Sequence, residues 1–164
     1  MTRQARPSAL RFAAVLFLKQ SWSLAVPAFF VGVAVCLGLI FEAWGTLPVA
    51  LGVFVHMSAG MLGSYVVHES GHFVALGFCG GVTAVSVESR LARISLRPEG
   101  ELTPREAIGV AVAGPFGCLN VGAVLMALTP EFGLGWWYLA HVVFLAPCFG
   151  DGRALLAALR RLKA

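Results

Sequence analysis

The chain has 164 residues, of which 59% are apolar and 12% charged, against about 45–50% and about 25% in a soluble domain. Together with a mean hydropathy of +0.84, these values exclude an ordinary soluble globular protein and leave no room for a second, soluble domain. The net charge is +4, but no Lys/Arg run is interleaved with aromatics, so nucleic acid is not an expected partner.

The expected class is a mainly α membrane protein, one polytopic domain over residues 1–164, with about four transmembrane helices. Residues 1–20 form a basic flank carrying Arg3, Arg6, Arg11 and Lys19. Leu10, Phe12, Val15, Leu16 and Leu18 give that flank an apolar side suited to lying along the membrane surface. Residues 22–41 carry no charge. The run is too long for a signal peptide and no small-x-small cleavage site follows, so it is expected to be a retained span.

A second span covers residues 48–78, roughly 45 Å of helix against a hydrocarbon core of roughly 30 Å. Gly52, Gly60, Gly63 and Ser64 permit close helix contacts within it. His56 lies about 120° around an ideal helix from His68 and reads as a packing or hydrogen-bonding residue. Gly80-Gly81 ends the helix. Residues 83–87 and 92–96 alternate with β-branched positions, predicting a small hairpin over 83–96 with Glu88-Ser89-Arg90 between its strands. Thr103-Pro104-Arg105-Glu106 is a good helix start for a third span, residues 107–128. A fourth, residues 136–159, is interrupted by Pro147 and Gly150-Asp151-Gly152.

All 12 Lys+Arg fall in the N-terminal flank, in the connection between spans two and three, or after Phe149. The connections near Glu42 and Glu131 contain none. This positive-inside pattern places both termini and the hairpin in the cytoplasm.

The second span ends on His68-Glu69-Ser70-Gly71-His72. In a helix this puts two imidazoles at i and i+4 on one face, where both can bind Zn2+, with Glu69 between them as general base. With 4 His and 8 Asp+Glu, chance gives roughly 0.005 such matches in a chain of this length. An ionisable cluster inside an apolar span is costly and marks a functional site by default. Catalytic zinc takes three protein ligands, and Asp151, the only Asp in the chain, lies at a depth similar to His72. Its alternative reading is a helix cap after Pro147. His141, about ten residues toward the opposite membrane face, is the weaker candidate. Cys36, Cys79, Cys118 and Cys148 form no CxxC pair and read as small packing residues; Cys148, three residues before Asp151, also falls near the expected metal.

At this point the chain resembles the site-2 protease family of intramembrane zinc metalloproteases. The resemblance runs from about residue 47 to 155. It rests on HESGH (68–72), the following Gly80-Gly81 and hairpin, AGPFGCLN (113–120) and APCFGDGRAL (146–155), in the family's order. Cys118 stands where the family often has Asn, with Asn120 two residues later, and of the family's Asn and paired prolines before Asp-Gly only Pro147 remains. The resemblance implies His68, His72 and Asp151 as Zn2+ ligands, Glu69 as the catalytic residue and Asn120 as a substrate contact. It implies an endopeptidase that hydrolyses a transmembrane or membrane-inserted peptide within the bilayer, without a PDZ module. One hairpin strand is expected to pair with the unwound substrate. From another class, a non-proteolytic zinc-binding membrane protein acting as a partner-binding or regulatory module would keep the packing glycines but need not keep Glu69. A metal transporter is disfavoured, because the buried acidic groups cluster at one level rather than along a path.

Overall fold

The computed structural model describes residues 8–90 and 93–163. Among them, four segments are long and apolar enough to cross a membrane: Ala9–Phe41, Thr46–Gly77, Pro104–Leu128 and Gly135–Lys163. Their apolar side chains point outward to an extent water would not tolerate. Phe29 is 67% exposed and Ile40 69%, forming a continuous apolar exterior of the kind that marks a membrane-facing surface.

The first segment is one long helical run. Helix α1 (Ala9–Gln20) starts on Ser8, whose hydroxyl accepts the Arg11 N–H at 3.2 Å. A 3₁₀ turn, Ser21–Leu24, passes it into α2 (Ala25–Phe41). The second segment runs back alongside as α3 (Thr46–Val55), a π-helical stretch His56–Leu62, and α4 (Gly63–Gly77). In this antiparallel pair α2 lies against α3, and α1 lies against α4.

The described part of the basic flank, α1, packs on α4 through part of its apolar side. Phe12 and Leu16 are buried in a cluster with Tyr65, Val66, Phe73 and Leu96, and the Phe12 and Phe73 rings stack at 4.2 Å. Of the five apolar residues named for the flank, Phe12 and Leu16 cover α4, while Leu10, Val15 and Leu18 stay exposed. The continuous helix from Ala9 brings Phe12 and Leu16 against α4.

Strands β1 (Val82–Arg90) and β2 (Arg93–Gly100) form an antiparallel hairpin. It is longer than the sequence pattern predicts. Glu88, Ser89 and Arg90 do not form the connection: they pair with Ser95, Ile94 and Arg93. Leu91 and Ala92, the latter expected to begin the second strand, lie outside the described residues. A ladder bond satisfies the backbone of a charged residue as readily as of an apolar one, so side-chain polarity misplaced the turn. Val82, with Leu76 and Cys79, anchors the hairpin at the end of α4, and Leu96 touches both apolar clusters.

Helix α5 (Pro104–Leu128) starts on the expected signal. Thr103 and Glu106 form a reciprocal capping box with Pro at the first turn. The fourth segment is broken. Helix α6 (Gly135–Leu139) tightens into a 3₁₀ run, Ala140–Leu145; Ala146 is extended (ψ 146°), and α7 (Gly150–Lys163) follows.

Candidate metal centre

Helices α4, α5 and α7 meet where the HExxH motif lies. Gly71 and Gly114 set the approach of α4 to α5. A Cβ at Gly71 would stand 2.6 Å from the Ala113 carbonyl oxygen, and one at Gly114 2.5 Å from His72 Nε2 and 2.8 Å from the His68 carbonyl oxygen. The glycine of the Ala-Gly-Pro segment thus leaves the room that the His72 ring fills. Gly152 does the same for α7, since a Cβ there would strike the backbone of Leu145 and Ala146. That contact lets the first turn of α7 fold under the break and carries Asp151 inward.

The result is three ligand atoms converging on one point. His68 Nε2 lies 3.0 Å from Asp151 Oδ2, His72 Nε2 lies 3.5 Å from the same oxygen, and the two Nε2 atoms are 3.1 Å apart. Both histidines are buried and Asp151 is partly so. His72 Nδ1 lies 2.6 Å from the Val110 carbonyl oxygen. A carbonyl only accepts, so Nδ1 carries the hydrogen and Nε2 turns its lone pair to the cluster. A hydrogen on His68 Nε2 donated to Asp151, or a cation among the three atoms, satisfies this approach. Tetrahedral zinc with bonds of roughly 2.0–2.1 Å holds its ligands roughly 3.3–3.4 Å apart, and the observed separations bracket that range. The donor set therefore fits a zinc-sized cation. Asp151 does not act as a cap: it lies within the first turn of α7 and aims its carboxylate at the histidines. That turn is where the helix dipole favours negative charge.

Glu69 is half-buried on the same turn of α4. Asn120 is not brought into the cluster. It is exposed on α5, and its amide donates to the Phe116 carbonyl oxygen at 2.8 Å.

Two residues that sequence reasoning set aside stand beside the histidines. The His141 and His68 ring centroids are 5.1 Å apart, with Phe144 against both. Cys118 is fully buried, and its thiol donates to the Ser64 carbonyl oxygen at 3.2 Å. Ligand atoms of His68, Cys118 and His141 all lie within 4.8 Å of one another. Counting α-helical rise from Asp151 moved His141 away from the site, but the extended residue at Ala146 folds the chain back. The signal that could have found it was Pro147, which forbids a straight helix through residues 141–151.

His56 hydrogen-bonds as expected, accepting from Trp137 Nε1 at 3.0 Å. The π-helical stretch beside it loosens the regular ladder, and its Ala59 carbonyl accepts the Tyr138 hydroxyl at 2.7 Å. These bonds tie α6 to the second segment and hold His141 at its level.

Comparison with known protein families, with characterised proteins and with solved structures gives no match.

Proposed function

We propose that this chain is a zinc-dependent intramembrane endopeptidase that hydrolyses a transmembrane or membrane-inserted peptide near its cytoplasmic end. The convergence of His68, His72 and Asp151, with Glu69 on the same helical turn, carries this reading. His68, His72 and Asp151 would hold Zn2+, which supplies Lewis acidity toward water and the scissile carbonyl. The Val110 carbonyl holds His72 in the ligating tautomer. Glu69 accepts a proton from the attacking water and passes it to the leaving amine.

Orientation follows from charge. Every Lys and Arg falls in the N-terminal flank, in the connection between spans two and three, or after Phe149, and this asymmetry would put both termini and the hairpin in the cytoplasm of a multi-pass membrane protein. About 20 helical residues cross the hydrocarbon. Counted from Thr46 and from Leu128, the opposite boundary falls near the level of His68 and Val110, which are joined through His72. The site is then close to the cytoplasmic margin of the bilayer. A helical substrate must unwind to present its carbonyls. The two-stranded hairpin, with no third strand among the described residues, offers an edge to the unwound segment.

The deciding experiment is Glu69→Gln. It should retain zinc and lose about 10²–10⁴-fold in cleavage of a model transmembrane helix. Normal turnover in that variant, with zinc bound, would reject the proteolytic assignment. In the same assay a Gly-Pro pair at the cut region should speed cleavage relative to a Leu-rich helix. Labelling of single cysteines should place residues 97–100 in the cytoplasm and residues 43–45 outside.

A further inference from the structure

His141 is presented as a ligating histidine. Its Nδ1 lies 2.9 Å from the Trp137 carbonyl oxygen, so Nδ1 carries the hydrogen and Nε2 offers a lone pair, the arrangement also seen at His72. This bonding removes the neutral ring as a hydrogen-bond donor toward substrate, because its only N–H is already committed. Cys118 adds a sulfur with no exposure to solvent. His68 is 5% exposed, and its Nδ1 is buried with no hydrogen-bond partner among the described residues. A buried imidazole nitrogen without a partner is costly unless something occupies it.

We propose that His68, Cys118 and His141 form a second metal site, one that contains a thiolate and shares His68 with the first. Two imidazoles and one thiolate suit Zn2+ and favour softer ions such as Cd2+. The carboxylate set, His68, His72 and Asp151, is the harder of the two. A neutral imidazole has one lone pair to give, so His68 serves one set at a time and ion softness decides which is filled. A soft ion held by the sulfur would take His68 from the first set and so inhibit hydrolysis. The second metal site rests on this cluster alone; its inhibitory effect rests on the proposed hydrolysis.

The test is Co2+ binding to the purified full-length chain in detergent, read by thiolate-to-cobalt charge-transfer absorption. Asp151→Ala should still bind cobalt and should show the band. Adding Cys118→Ser should abolish it, and adding His141→Ala should weaken cobalt binding at least about 10-fold. X-ray absorption of zinc-loaded Asp151→Ala should give one sulfur at about 2.3 Å. Should Asp151→Ala fail to fold, Cd2+ bound to the wild-type chain gives the same thiolate signal, which Cys118→Ser must remove. Absence of a thiolate signal in the cadmium-loaded wild type would overturn the proposal. So would a band that survives Cys118→Ser and vanishes in Cys148→Ser. The cleavage assay on Glu69→Gln reads a different quantity, so either inference can fail while the other stands.

Discussion

Glycine serves opposite purposes in the two halves of the helix bundle. In α2 and α3, a Cβ at Gly32 or Gly52 would meet nothing within 4 Å. In α4, α5 and α7, a Cβ at Gly71, Gly114 or Gly152 would run into backbone or into His72. Gly38, also in α2, would meet only the Trp44 side chain, and Gly77 and Gly109 lie in the open, so the contrast is one of backbone contact: it occurs at the centre and at no glycine of α2 or α3. In the α4–α5–α7 half the backbones touch, and that approach brings ligand atoms from α4 and α7 to 3.0–3.5 Å. A bilayer supplies little hydrophobic drive between helices, so small residues at the contact set how near they come.

The sharpest way to break this contrast is at the ligands. His72→Ala and Asp151→Asn should each weaken zinc binding by more than the about 10–100-fold that loss of an outer-shell partner costs, read by metal analysis after dialysis. Full zinc retention in Asp151→Asn would detach α7 from the centre.

Next in size is Gly114→Ala. The added methyl must displace His72 or the α4 backbone, so overpacking of about 1–3 kcal/mol is expected, together with weaker zinc binding. Thermal denaturation in detergent with and without zinc measures both. Unchanged stability would mean that α4 and α5 are not in backbone contact.

Tyr138→Phe should act more weakly. It removes a hydroxyl that donates to the Ala59 carbonyl at 2.7 Å, and such bonds between membrane helices average about 0.6 kcal/mol. If His141 is held in place through this tie, the same variant should also reduce the thiolate signal of the cadmium-loaded protein.

The smallest effect belongs to Gly52→Ala. With nothing for the methyl to meet, stability should stay within about ±0.5 kcal/mol and cleavage should be unchanged. A loss as large as that of Gly114→Ala would show that the α2–α3 half is packed as closely as the centre.

The amino-acid sequence by itself determined the apolar segments, the capping-box start of α5 at Thr103, and the His68–Glu69–His72 face. Each is local: hydropathy is a property of a run, and i,i+4 spacing settles which side chains share a helix face. Asp151 was legible for a similar reason, as the single acidic group beside glycines in an apolar stretch. What only the tertiary structure decided was the company His68 keeps. Cys118 read as packing and His141 as too distant, because straight α-helical rise was the only ruler available. The extended backbone at Ala146, the π-helical stretch before α4 and the contact of Gly152 with residues 145–146 alter that ruler. Asn120, chosen for its nearness to the Gly-Pro segment, turns outward because two residues beyond Cys118 lie about 200° around the helix. The departures at His141 and Cys118 depend instead on which backbones touch, and contacts between segments far apart in the chain leave no period in the sequence from which to read them.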